Sequence, residues 1–504
     1  MKLFLALSLY IAVCITSYAQ INKLQSQEMA RKQLPAAITE LRQFLMLANN
    51  GLYADQVKQN MDWCLQAMAK RKFTTKILYS HEVPHLYAER VYNAKYPWVL
   101  FYIQVDGQPV DSTEWNQRSP YEATLKQNVN GIWETIAWEN QQPYNDNWRI
   151  FARSVSDSKG PAISFLSALD ILASRKISPR FNIKLIMDFQ EEMGSPTLPD
   201  LVAANKELFK ANTVLIMDGT RHISNLPTLN FGARGIVTVQ LKVFGASSEL
   251  HSGQYGNYAP NPVFKLATLL AGMKDDNGVV TIPGFYDGIR LSDEEKKLIN
   301  DMPGDEAKLK NTLGIAVPDH VGATYEESLQ YPSLNVLGLK AGSVGNEART
   351  IIPAEALAEL DLRLVVETDG ERQVALIKNY IAGQGYHFVN GSPTDEERKQ
   401  YAHLISFEYK LGSKPFRTDL NSEIGVWLAN AMDRVLGPGN YVKQRTTGGS
   451  QPIEPFITTL KIPAVSIRIP NPDNNIHAAN ENLRVGNLVE GIQMCLGVLT
   501  QNMN

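Results

Sequence analysis

Three short apolar runs constrain this chain most. Trp98–Val105 (WVLFYIQV), Ile183–Phe189 and Thr213–Asp218 each end in or against acidic or amide residues. Continuous apolar runs of this length, bounded by turn residues, read as strands buried on both faces, the condition of a parallel sheet. A helix at Pro161–Arg175 opens with proline, which a first helical turn tolerates. Residues 26–49 and 53–70 read as an opening helical pair, and Ser422–Leu436 and Ala464–Ile469 as a later helix and strand. Strands alternating with helices predict an α/β fold, a three-layer domain with a mainly parallel mixed sheet.

The pattern changes near residue 222. Gly235–Gly245 alternates as a half-buried strand, Asn261–Met273 is helical, and Asn335–Ala341 and Leu357–Val366 are strands. A helix at Gly370–Gln384 follows, with Asp369 placed to cap it. This order predicts a smaller α+β domain over residues 223–396, inserted between the two parts of the first, 20–222 and 397–504. Asp275–Tyr331 reads as a surface elaboration with a short helix at Ser292–Met302.

Residues 1–19 read as a secretory signal peptide: Lys2, an apolar run, and small residues Ser17 and Ala19 before Gln20. The expected location is exported, periplasmic or extracellular. No later run is long and apolar enough for a membrane span. A net charge of −3 gives no electrostatic footprint for nucleic acid. Cys64 and Cys495, the cysteines beyond the signal segment, have no metal-like spacing, and their pairing is open.

In open parallel sheets, reactive groups collect beyond the carboxyl ends of strands. Gln104–Asp106, Gln190–Ser195 and Asp218-Gly219 stand at such ends. Asp157–Gly160 precedes a helix, and His477–Glu481 lies near the C-terminus. Carboxylates and an imidazole so placed suit zinc-like cations, and a neighbouring unligated carboxylate can take a proton from water. The Glu191-Glu192 doublet allows that division, one ligating and one acting as base. His81–His85 (HEVPH) matches a helical zinc motif, but Pro84 opposes the helix it requires, so these histidines are read as surface or packing residues.

These segments together resemble the dinuclear zinc metallopeptidases that include carnosinases, aminoacylases, succinyl-diaminopimelate desuccinylases and glutamate carboxypeptidases. The likeness rests on YIQVDGQPVDSTEW (Tyr102–Trp115), ARSVSDSKG (Ala152–Gly160), FQEEMGS (Phe189–Ser195), Met217–Gly219, LHSG (Leu250–Gly253), Asn261-Pro262, DLRL (Asp361–Leu364), GGSQP (Gly448–Pro452) and HAANE (His477–Glu481). The resemblance implies a catalytic domain with an inserted lid and dimerisation domain. It implies Asp157 as bridging metal ligand, Glu192 and His477 completing one metal site, Asp218 and Gln104 the other. Glu191 would be the general base, and Asp106 would orient the ligand two residues before it. His251 would reach the partner subunit's site across a homodimer, and Asn261, Arg363 and Ser450 would hold the substrate.

The expected cofactor is zinc, one or two ions, with manganese or cobalt as alternatives. The expected activity is cleavage of a dipeptide, short peptide or N-acyl amino acid through metal-activated water. Gln104 departs from the family's first metal-binding histidine, and Thr447 from an acidic residue before Gly-Gly-Ser. Those departures leave a one-metal enzyme, or an inactive relative acting as a binding protein, as the alternative.

Overall fold

The computed structural model describes residues 21–139 and 142–503. The expected signal peptide, 1–19, lies outside the described residues.

Eight strands form the larger sheet, in the order Thr74–Ser80, Val83–Arg90, Asn182–Asp188, Trp98–Gln104, Thr213–Ile216, Ala464–Arg468, Thr228–Asn230, Val442–Gln444. The four central strands, Asn182–Asp188 through Ala464–Arg468, run parallel. Their carboxyl ends therefore share one edge, where Gln104, Asp188, Met217-Asp218 and Arg468 emerge. Alternation sends successive side chains to opposite faces. Val99, Phe101 and Ile103 join the core under the helices Lys23–Leu45, Gly160–Ser174, Glu423–Leu436 and Val485–Thr500. Leu100 and Tyr102 join a second core with Leu198, Leu201 and Phe456 from the helices opposite. Each such fully buried large apolar side chain contributes about 1.5–3 kcal/mol. The layered α/β arrangement expected from the sequence is the one observed.

The HEVPH segment is not a helix. His81 and Glu82 turn the hairpin between Thr74–Ser80 and Val83–Arg90 with positive φ, and His85 lies in the second strand. His85 is buried with Nδ1 3.5 Å from Asp188 Oδ1, and His81 is exposed beside Asp200.

A second sheet has five strands in the order Ser333–Lys340, Glu355–Leu364, Gly235–Phe244, Leu404–Leu411, His387–Val389. Leu266, Leu269 and Met273 on or beside the helix Pro262–Ala271, and Val374, Ile377 and Ile381 on Gly370–Gly383, pack against it. Both helices are capped by local chemistry: Asn261 Oδ1 accepts the Val263 N–H, and Asp369 Oδ1 that of Arg372. This sheet runs past residue 396, where the sequence reading ended the insertion. The turn residues at 392–397 instead lead into the short helix Asp395–Gln400, and Leu404–Leu411 then pairs along Gly235–Phe244. Cys64 and Cys495 are buried free thiols. No helix of the described residues is long and apolar enough to cross a membrane.

Candidate active site

Asp157, Glu192 and His477 come from three separate segments and converge. Each offers a ligand atom, and these atoms lie within 4.8 Å of one another. His477 Nε2 is 3.1 Å from Asp157 Oδ2 and 3.1 Å from Glu192 Oε2. Hydrogen bonds to Asp157 first and Glu192 second raise the His477 pKa to about 10. The surrounding carboxylates also work against one another. Burial first, then Asp218 and Asp157, pushes Glu191 well above the usual carboxylate range. Burial first, then Asp218, does the same to Asp157, and burial first, then Asp188, to Asp106. Carboxylates gathered this closely repel one another, and a positive charge among them relieves that repulsion. Two carboxylates and one imidazole are the donor set of a catalytic divalent-cation site, so these residues fit one such ion.

The supporting contacts span long sequence distances. Asp106 Oδ1 accepts the Glu191 N–H and Oδ2 that of Glu192, both at 3.0 Å. The sequence reading had Asp106 orienting residue 104. Its two oxygens hold the backbone of the glutamate doublet, and the Gln104 amide donates from Nε2 to Asp157 Oδ1 at 2.5 Å. Gly107 must be glycine here, because a Cβ would stand 2.1 Å from Ser154 Oγ. Ser158 donates its hydroxyl to Asp218 Oδ1 at 2.7 Å. Four of the expected metal residues thus meet at or beside Asp157, and Asp218 joins through Ser158.

Two supporting residues escaped the sequence reading. Gln108 Nε2 donates to Glu192 Oε2 at 2.8 Å. Glu481 is fully buried and accepts the N–H groups of Ser154, Ser156 and Asp157 as well as Arg153 Nη1. It thereby fixes the loop that carries Asp157. Its place in the HAANE segment was a signal, but not of which backbone it clamps.

Arg363 and Ser450 are brought together, Nη1 donating to Oγ at 3.1 Å, while Arg363 Nε pairs with Asp361. Beside Ser450, Gln451 Nε2 reaches Asp218 Oδ2 at 3.4 Å. The Gly448–Pro452 segment therefore ties the arginine to the carboxylate cluster. Arg234, unnoticed in the sequence, stands near Arg363, and burial first, then that neighbour, lowers its pKa to about 10. His251 and Asn261 are placed elsewhere. His251 is exposed on a two-residue strand paired with Ile351–Ile352, with Nδ1 accepting the Gly253 N–H. Asn261 caps its helix. Among the described residues, neither side chain hydrogen-bonds to the cluster.

The family profile described as "Peptidase family M20/M25/M40" matches residues 100–501. A Cys-Gly metallodipeptidase of Schizosaccharomyces pombe is 26% identical over 405 residues, 79% of this chain and 78% of that one. A crystal structure of an M20 family metallo-carboxypeptidase from Sulfolobus solfataricus superposes with a TM-score of 0.74 at 27% identity, covering 92% of this chain and 98% of the other. Human carnosine dipeptidase 1 gives 0.73 at 19% identity, covering 95% and 98%, a likeness of fold.

Proposed function

Because the chain belongs to peptidase family M20/M25/M40, whose members are metal-dependent hydrolases, we propose that it is a metal-dependent dipeptidase. The observation that carries this is the convergence of Asp157, Glu192 and His477 beside Glu191. Asp157, Glu192 and His477 would hold the cation, zinc by preference. When bound, a divalent cation supplies Lewis-acid polarisation of the scissile carbonyl and lowers the pKa of water.

The chain's own residues do the rest. The Glu191 carboxylate accepts a proton from the attacking water and returns it to the leaving amine nitrogen. Asp106 holds that carboxylate's backbone in place through the Glu191 and Glu192 N–H groups. Arg363, braced by Asp361 and touching Ser450, binds the substrate's free carboxylate. Gln104 stands where the resemblance places a histidine.

A dipeptide substrate is favoured over an N-acyl amino acid because the curated relatives are named for Cys-Gly and Beta-Ala-His dipeptides. An inactive binding protein is not favoured, since those relatives are named as peptidases. We further propose that the larger sheet and its helices form the catalytic domain, and the five-stranded unit a lid. A homodimer through the lid would bring His251 to the other subunit's site, with the sedimentation mass as the check. Export also belongs to this proposal, checked by the N-terminal residue of protein recovered outside the cytoplasm.

Hydrolysis of Cys-Gly and β-Ala-His by the purified zinc-loaded chain tests the activity. Glu191→Gln should lower turnover by about 10²–10⁴-fold or more, the usual worth of a general base, while metal stays bound. Undiminished turnover in that variant would remove Glu191 from the mechanism.

A further inference from the structure

The Asp157 carboxylate faces two ways. Oδ2 meets His477, and Oδ1 accepts the Gln104 side-chain N–H at 2.5 Å. Gln104 is 1% exposed, and its own Oε1 is buried without a partner. Turning that amide over would set two oxygens at this short distance, which a shared proton or an intervening cation would have to hold. With Nε2 facing Asp157, the amide already supplies the partial positive charge that the oxygen needs.

The same substitution of donors for a cation recurs next door. Ser158, fully buried, donates to Asp218 Oδ1 at 2.7 Å and stands 3.3 Å from Asp157 Oδ1. Gln451 Nε2 approaches Asp218 Oδ2 at 3.4 Å. Arg468 brings a full positive charge from the end of its strand. Its guanidinium packs on Gly219, where φ is +91° and a Cβ would stand 2.8 Å from Cζ. It is anchored on the Thr220 carbonyl and the Thr447 hydroxyl. Thr447, where the resemblance leads one to expect an acid, brings no negative charge to that guanidinium, which acts on Asp218 through space.

We propose that this chain has a single-cation centre, in which the Gln104 amide on Asp157 and the Ser158 hydroxyl between Asp157 and Asp218 take the place of a second cation, with the Arg468 guanidinium adding its charge at longer range. This rests on the reading of Asp157, Glu192 and His477 as the metal site, and it settles what that site departs from. A carboxylate oxygen that already accepts a short buried hydrogen bond offers a second cation less than a free one does. Gln104 is the member that decides: its donor faces the oxygen that a second ion would need.

The test is zinc content per folded chain. Full-length protein is stripped with chelator, loaded with excess zinc, desalted and measured by plasma mass spectrometry, with circular dichroism to confirm that each variant is folded. The wild type should hold about one ion, the complement of a three-ligand site. Gln104→Glu is isosteric and exchanges the donor for an anionic oxygen, and Gln104→His adds a nitrogen ligand. Either should raise the count toward two. Two ions on the wild type would overturn the single-cation centre and leave the dipeptidase reading standing if Cys-Gly is still hydrolysed. One ion on the wild type with no rise in either variant would overturn the role given to Gln104. No ion on the folded wild type would overturn the metal-site reading and this inference together.

Discussion

The two sides of Asp157 are made of similar residues and do different things. On one side, Glu192 and Asp157 converge on His477, whose side chain is 54% exposed and which is the cation that meets both carboxylates. On the other, Gln104 and Ser158 are sealed from solvent and already donate to Asp157 and Asp218. A carboxylate's capacity for a cation is thus set less by its being a carboxylate than by what else fills its acceptor positions. The open side needs a positive charge, and the sealed side has been given one in pieces.

The sharpest way to break this comparison is to remove one residue from each side and measure zinc affinity by competition with a chromogenic chelator. His477→Ala removes a ligand from the open side and should weaken binding by more than about 100-fold, beyond the usual cost of losing a mere supporting contact. Asp218→Asn keeps the size of a residue on the sealed side and should cost less than about tenfold. Equal losses would mean that both sides hold metal and that the distinction is false.

How much of this was legible in the sequence follows the range of the interactions. The central strands were readable because alternating burial on both faces demands continuous apolar runs, as in Trp98–Gln104. The cap Asp369 was readable because it acts on an N–H three residues away, whereas Asn261, read as a substrate residue, is also a cap. The site residues could be named because strand ends gather them. Their partners could not. Glu481 meets Ser156 across 325 positions, and Asp106 meets Glu191 across 85, distances at which no local pattern survives. The buried pair of His222 and Glu326, 3.2 Å apart, was hidden likewise. The continuation of the second sheet past 396 was not legible, because a polar turn cluster at 392–397 marks a short helix as readily as a domain crossing.

A smaller effect should come from the residue that serves both sides at once. Glu481 accepts four donors, and three of them are backbone N–H groups of the loop bearing Asp157. Glu481→Gln turns one acceptor oxygen into a donor that faces other donors and leaves Arg153 without its anion. Zinc affinity should fall by about 10–100-fold, as for other supports of a metal ligand. Stability should fall by about 3–5 kcal/mol, the cost of breaking a buried pair. Urea unfolding beside the zinc titration separates the two. A stability loss with unchanged affinity would show that Glu481 holds the fold but not the geometry of Asp157.

The smallest expected effect is in protons. Asp157 and Glu192 raise His477 to about 10 in the metal-free chain, so at pH 8 its ring carries a proton that a cation must displace. The sign follows: below that pKa the proton competes, so zinc affinity rises with pH, about tenfold per unit for each proton displaced, until His477 is neutral. Binding at pH 8 should release about one proton or more, where a histidine at its usual value near 6.5 would release almost none. Calorimetry in two buffers of different ionisation enthalpy measures the number. Glu192→Gln should lower it, because Glu192 is one of the two groups that hold the proton on His477. A release unchanged in Glu192→Gln would show that the displaced proton is not the one held on His477.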